Sequence, residues 1–459
     1  GLGATPPPTG RSGAKSLWWC IIRSVIHAFL ATRPRLLAGL GAALMLATTA
    51  CGSPAPTPQP SATPTAVQSQ TATPQPSVAL ASIVPVPTSA LVAPSAPTAQ
   101  LDDVKAKALQ AALDSLRTTG LYPGASAAVI FPDGTLWKGI SGVAVVKPAT
   151  PLTSDTLFSV GSISKTFIAA LIGQLAQRGT IGLDDPLSRY EPDFPNAANI
   201  SLRMLLNHTS GIMDLFSAGS LGDALLAKPA ATWTAEQVLA RVGKLTYFAP
   251  GKGYRYSNTN YVLLGLVIEK ATGQTVAELV RSAFLTPLGM NNTYLQIEEK
   301  AQGPKAHGYC TGPGPVCGAV LAGGASPRDN SAGDMIPFTA ETTAVGFAGG
   351  YASTASNLAT WANALYGGAI LDQATLSAMA DTSPSLPYKP KFPYGLGFEQ
   401  TTLADQVAWG HRGLLDGFWS AMEYLPAYHV TVVLLINANW LTPDAMIAAT
   451  AALAKIAIS

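Results

Sequence analysis

The chain has 459 residues, 48% hydrophobic and 12% charged, which is enough apolar content to bury a substantial core in one or two domains. Its formal charge of +2 is unevenly placed, because Arg11, Lys15, Arg23, Arg33 and Arg35 precede Cys51 while no acidic residue occurs before Asp102. Without those five, 23 basic residues face 26 acidic ones, which argues against a nucleic-acid binder with a basic stripe.

Residues 1–51 read as a targeting leader, with residues 1–32 an over-extended start. Arg33-Pro34-Arg35 is a basic region and Leu36 to Ala47 an apolar one, too short and too rich in Ala and Gly for a transmembrane helix. Thr48-Thr49-Ala50 then leads to Cys51. The pattern resembles a bacterial lipoprotein signal, in which Cys51 becomes a lipidated first residue and a membrane anchor. An ordinary signal peptide or an uncleaved anchor fits the same residues. From Gly52 to Gln100 there is no charge, and Pro, Ser, Thr and Ala dominate. Such a segment buries too little apolar surface to offset its ordering entropy, so a flexible tether over 52–100 is expected.

The folded part is expected over 101–459. Asp102 to Leu116 carries apolar residues at helical spacing. Ala125 to Phe131 and Thr135 to Val145 read as strands joined by a Pro132-Asp133-Gly134 hairpin turn. A helix is expected over Lys165 to Gln177, stopped by Gly179. Further helices are expected over Trp233 to Val242, Asn260 to Thr272, Thr275 to Leu285 and Ser353 to Tyr366. Gly417 to Leu425 and His429 to Asn437 alternate like paired strands, and a last helix runs from Pro443 to Ile456. Strands at both ends with helices between them predict an α/β (α+β) fold: one antiparallel sheet built from both ends, flanked by helices, with a mainly helical insertion over roughly 163–340. Of four cysteines, Cys20 and Cys51 fall in the leader. Cys310 and Cys317 remain, and in an exported protein they read as a local disulfide across a Gly/Pro-rich loop.

The chemistry centres on Ser162-Ile163-Ser164-Lys165. A hydroxyl and an amine three residues apart lie on one helix face, so the amine can take the hydroxyl's proton. Ser12-Gly13-Ala14-Lys15 has the same spacing in a segment not expected to fold, so the tetrapeptide needs company. Tyr256-Ser257-Asn258 is the only Tyr-x-Asn in the chain, Gly410-His411-Arg412-Gly413 holds the only His-x-Gly, and Leu205 to Gly211 reads Leu-Leu-Asn-His-Thr-Ser-Gly. Ser162 at a helix start has its own N–H beside a developing oxyanion. Lys165 acts as a base only if a neighbouring cation or desolvation lowers its pKa. A phenol such as Tyr256 beside it can relay protons, and the Asn258 amide can orient an acyl group.

In that order and spacing, these motifs resemble the penicillin-recognising serine hydrolases: class C β-lactamases, serine-type D-alanyl-D-alanine carboxypeptidases and related esterases. Phe158 to Lys165, Gly349 to Thr354 and Tyr394 to Phe398 look like further family signatures. The resemblance implies a β-lactamase/transpeptidase-like fold with Ser162, Lys165 and Tyr256 catalytic. It also implies substrate contacts from Asn258, His411, Arg412, Gly413 and Leu414, the Leu414 N–H being the second oxyanion donor. His411 in place of Lys favours the carboxypeptidases and esterase-like relatives. Arg412 and Leu414 stand where those peptidases often carry hydroxyls near the substrate carboxylate, and Arg412 either binds that carboxylate or points away. His208 reads as a loop-packing residue outside the site, and Asp214 and Asp416 have no assigned role.

The absence of Gly-x-Ser-x-Gly speaks against an α/β-hydrolase. Without His-Glu-x-x-His or a His/Cys cluster, no metal or cofactor is expected. The expected function is that of an exported serine hydrolase acting on cell-wall D-Ala-D-Ala peptide. The rivals are an esterase or β-lactamase-like hydrolase using the same site, and a β-lactam sensor or peptidoglycan-binding module. The expected partners are a small peptide, ester or β-lactam substrate and a membrane reached through Cys51; the sequence leaves oligomeric state open.

Overall fold

The structure is a computed structural model and describes residues 102–296, 298–300, 303–310, 328–329 and 339–459. The expected leader, Cys51, the tether and Cys317 lie outside the described residues.

The N-terminal part runs α1 (Asp103–Gly120), β1 (Gly124–Ile130), β2 (Leu136–Val145), β3 (Thr150–Pro151) and β4 (Phe158–Ser159). Asp102 caps α1 by accepting from Val104 N at 3.0 Å, and the helix continues four residues beyond its expected end. In the first hairpin, Asp133 Oδ1 accepts from Thr135 N at 2.9 Å and Gly134 takes φ 84°, the turn chemistry its sequence predicts.

A 3₁₀ turn over Gly161–Ile163 leads into α2 (Ser164–Gln177). The insertion follows with α3 (Leu202–Leu206), α4 (Gly219–Ala227), α5 (Ala235–Val242), α6 (Asn258–Thr272) and α7 (Val276–Val280). Thr234 and Thr275 close capping boxes with Gln237 and Glu278. The helix expected to Leu285 ends as α7 at Val280 and widens into a π turn over Arg281–Leu285. Short elements come next: β5 (Tyr294–Leu295), β6 (Tyr309–Cys310), β7 (Arg328–Asp329), α8 (Thr339–Val345), β8 (Tyr351–Ser353), α9 (Ala355–Tyr366) and α10 (Gln373–Ala380). The C-terminal part is β9 (Glu399–Leu403), β10 (Gln406–Leu415), β11 (Phe418–Leu425), β12 (Val430–Ile436) and α11 (Pro443–Ile458).

Seven strands form one antiparallel sheet in the order β3-β2-β1-β12-β11-β10-β9, so the two ends of the chain meet at its centre. There Ala125 pairs with Ile436 and Ile130 with Thr431. Strand β12 is buried throughout, and its side chains divide by period two. Val432, Leu434 and Ile436 pack with Leu109, Leu113 and Leu453 of α1 and α11, whereas Val433 and Leu435 join the larger core with Phe167 and Trp361 of α2 and α9. Phe167 and Trp361 stack at 4.5 Å, and Trp361 Nε1 donates to Thr166 Oγ1 at 2.8 Å. The 3₁₀ turn at the head of α2 lies beside β10, α2 packs on α6 of the helical insertion, and α9 covers β1 and β12. The fold is β-lactamase/transpeptidase-like.

Candidate active site

The turn that carries Ser162 is held from both sides. Val160 N donates to Tyr351 O at 3.0 Å, and Ser420 Oγ donates to Val160 O at 2.8 Å. Gly161 takes φ 51°, and a Cβ there would lie 2.9 Å from both N and O of Leu414. A Cβ on Gly413 would lie 1.9 Å from Val160 O. Only glycine at both positions lets β10 run against the turn, which sets the Leu414 backbone beside Ser162. The Leu414 side chain is 47% exposed at that rim. Ser164 is structural, donating to Gly161 O at 2.6 Å and accepting from Tyr351 N at 3.1 Å.

Lys165 follows one turn later and is fully buried. Its Nζ contacts Asn258 Oδ1 at 2.7 Å, Ala348 O at 2.7 Å and Ser162 Oγ at 3.0 Å. Burial pushes the amine down to about 7, against the opposing pull of Asp214 and Glu399. Both carbonyl oxygens can only accept, so a neutral amine gives each one proton and has its lone pair left for the third direction, toward Ser162 Oγ.

Tyr256 lies under the amine, with Nζ 4.8 Å from its ring centroid. Among the described residues its buried Oη has no partner within hydrogen-bonding geometry, although Ser162 lies near enough to favour the ionised form. Burial outweighs that effect and pushes the phenol well above 10. At neutral pH Tyr256 is therefore a proton donor, and of these two groups Lys165 is the one able to accept a proton.

Two residues left outside the site by sequence reasoning belong to its frame. His208 accepts at Nδ1 from Ser257 N and pairs there with Asn260 Nδ2, both at 3.2 Å, and its ring centroid lies 4.2 Å from that of Tyr256. Burial, with Lys165 and His411 nearby, holds it neutral. Asp214 Oδ2 accepts from Asn258 N at 2.6 Å and Asn258 Nδ2 at 2.9 Å. The signal for Asp214 was available: one acid inside the apolar run Ile212-Met213-Asp214-Leu215-Phe216.

The residues of the His-x-Gly motif do not all face the same way. His411 is 1% exposed. Its Nδ1 lies 2.6 Å from Arg412 O, a pure acceptor, so Nδ1 carries the proton and Nε2 accepts from Tyr394 Oη at 3.0 Å. Burial takes its pKa down to about 4. Arg412 turns from the cleft. It gives Nε and Nη2 to Glu399 Oε2 at 3.0 and 2.6 Å, and its guanidinium stacks 3.7 Å over the Phe392 ring. Of the two orientations open from sequence, the paired and buried one is realised. Cys310 is buried and disulfide-bonded; its expected partner Cys317 lies outside the described residues.

The structure thus brings Ser162, Lys165, Tyr256 and Asn258 together, sets Gly413 and Leu414 beside them, keeps His411 behind the site and commits Arg412 elsewhere.

Comparison with known proteins places this arrangement in a lineage. The family model described as Beta-lactamase matches residues 109–456. Penicillin-binding protein 4* of Bacillus subtilis (strain 168) is 34% identical over 189 residues, covering 41% of this chain and 41% of that protein. Esterase EstB of Burkholderia gladioli is 33% identical over 196 residues, covering 40% of this chain and 50% of that protein. The chain therefore spans half or less of these curated relatives. The crystal structure of D-amino acid amidase from Ochrobactrum anthropi SV3 complexed with L-phenylalanine amide superposes with a TM-score of 0.66 at 28% identity, over 77% of this chain and 98% of that one. With the family model spanning the sheet, the helical insertion and every residue of the candidate site, this chain belongs to the beta-lactamase family of serine hydrolases.

Proposed function

We propose that the chain hydrolyses amide bonds of D-amino acyl donors, D-alanyl-D-alanine peptides among them, through an acyl-enzyme on Ser162. The observation that carries the chemistry is the fully buried Lys165, brought down to about 7, with two carbonyl acceptors and Ser162 Oγ around its nitrogen. In this reading Ser162 Oγ bonds the substrate carbonyl carbon as its proton passes to Lys165 Nζ. The carbonyl oxygen takes the negative charge toward the N–H groups of Ser162 and Leu414. Collapse breaks the C–N bond, and the departing amine takes a proton from Lys165 by way of the Tyr256 phenol. Water then repeats the sequence on the ester, releasing the acid and restoring Ser162.

The substrate class is supported by the relatives' names, penicillin-binding protein and D-amino acid amidase. A second reading, favoured by the Arg412–Glu399 pair, is that the leaving side need not carry a carboxylate. Export by the leader and anchoring through Cys51 complete the proposal, with the tether giving reach from a membrane.

The test uses a D-Ala-D-Ala tripeptide with a free or an amidated C-terminus, a nitrophenyl ester and a fluorescent penicillin. Turnover of the free peptide alone supports a carboxypeptidase, and comparable turnover of both peptides supports the second reading. Ester turnover alone sinks both in favour of an esterase, and a stable penicillin adduct with no turnover points to a sensor. In every catalytic case Ser162→Ala lowers turnover at least ~10³-fold and abolishes labelling. Surviving activity overturns the nucleophile assignment.

A further inference from the structure

A side-chain amide has two nearly isosteric orientations of opposite polarity. At Asn258 one of them sets Oδ1 against Lys165 and Nδ2 against Asp214; the other reverses both. The observed one has Oδ1 accepting from Lys165 Nζ at 2.7 Å and Nδ2 donating to Asp214 Oδ2 at 2.9 Å. Asp214 is fixed independently, since the backbone N of Asn258 donates to Oδ2 at 2.6 Å and that of Phe216 to Oδ1 at 2.9 Å. A carboxylate pinned in this way offers only acceptors to the amide. On the far side, Ala348 O takes one Lys165 proton at 2.7 Å, and Ser162 Oγ lies at 3.0 Å. If the amide were reversed, Asn258 Nδ2 would present an N–H to the amine and compete with Ser162 for its lone pair.

We infer that Asp214 is a positioning residue: by holding the Asn258 amide in one orientation, it aims the Lys165 lone pair at Ser162. This rests on the function proposed above. A carboxamide at 214 that keeps its oxygen on Phe216 N turns its NH₂ toward Asn258, where it opposes the backbone N–H in the single and the double variant alike and, in the single variant, favours the reversed amide. The pair D214N/N258D runs the side-chain hydrogen bond backwards, from residue 214 to residue 258, while still presenting an acceptor to Lys165.

The test is a double-mutant cycle. Asp214→Asn is expected to lower kcat by ~10²-fold with KM nearly unchanged, as a misaimed base does. Asn258→Asp, which sets two carboxylates face to face, is expected to lose a similar amount. The double variant is expected to recover at least ~10-fold over either single variant, its acidic limb moved to higher pH by the new charge beside Lys165. A purely structural role for Asp214 predicts losses that accumulate, and a double variant at or below both singles would falsify the inference. If D214N fails to fold in a thermal melt, the contrast survives in the N258D background, where adding D214N must raise activity.

Lysine side-chain NMR gives a readout independent of turnover. The Lys165 titration point is expected to fall by about one unit in D214N and to rise in the double variant. Wild-type titration in both variants overturns the inference whatever their activity. If wild-type protein neither labels at Ser162 nor turns over, the functional reading fails instead.

Discussion

Lys165 shows how burial brings a lysine amine into the range where its neutral form exists near pH 7. The amine is desolvated and lowered from 10.5 to about 7, so its neutral form exists just where the unfolded chain would hold it protonated. The expected pH profile follows: kcat/KM rises with pH through about 7. His411, held neutral down to about 4, does not contribute that limb. Stopped assays from pH 5 to 9 check it, and a flat profile across 6 to 8 refutes Lys165 as the base. The linkage sign is also fixed. Between about 7 and 10.5 the unfolded chain binds a proton that the folded one does not, so this group's contribution makes stability rise with pH over that window. At the residue scale, Ser162, Lys165, Tyr256 and Asn258 were legible because a short helical turn and a Tyr-x-Asn tripeptide leave marks in the sequence. His208 left no such mark, and Asp214 left only that of a lone acid in an apolar run, since nothing local says that it meets an asparagine 44 residues on.

Strand β10 carries the site's other wall, and its sequence obscures what it is. The run Gly410-His411-Arg412-Gly413-Leu414 has no clean alternation, because polar side chains are buried on both faces: His411 against Tyr394 and Arg412 against Glu399. Periodicity therefore does not mark it as a strand. Its approach to Ser162 depends on Gly413, where a Cβ would lie 1.9 Å from Val160 O. Gly413→Ala is therefore expected to push β10 off the turn, costing about 1–3 kcal/mol by overcrowding. It should also lower kcat by ~10²-fold as the Leu414 N–H moves away from the oxyanion. Gly222→Ala, inside α4 with open space around it, serves as the control and should leave kcat nearly unchanged and stability unchanged or raised by up to about 1 kcal/mol. Thermal melts and kcat measurements on both variants check this, and equal behaviour would mean that the close approach is immaterial.

At the scale of the molecule, both ends of the sequence build one sheet, and Asn437 joins them. Its Oδ1 accepts from Gly124 N at 2.7 Å, while Nδ2 donates to Val143 O and Ala144 O at 3.2 and 3.3 Å. One fully buried side chain, just past the end of β12, thus hydrogen-bonds both β1 and β2. Asn437→Ala removes these bonds, leaving Ala144 O only its other donor, His307 N at 2.9 Å, and is expected to cost about 3 kcal/mol. The loss should appear in the urea midpoint, while kcat per folded molecule stays unchanged. A loss of kcat without loss of stability would instead tie Asn437 to the site.

The sequence by itself determined the helices and hairpins whose signals are local, the nucleophile–amine spacing, and a sheet drawn from both ends. Caps, turn residues and periodicity act over a few positions, so they can be read along the chain. Only the tertiary structure decided which groups face one another. Desolvation of Lys165, pairing of Arg412 with Glu399 and orientation of Asn258 by Asp214 are through-space effects between residues distant in the chain. Each depends on the dielectric and the donors that packing places nearby, and these belong to the fold as a whole.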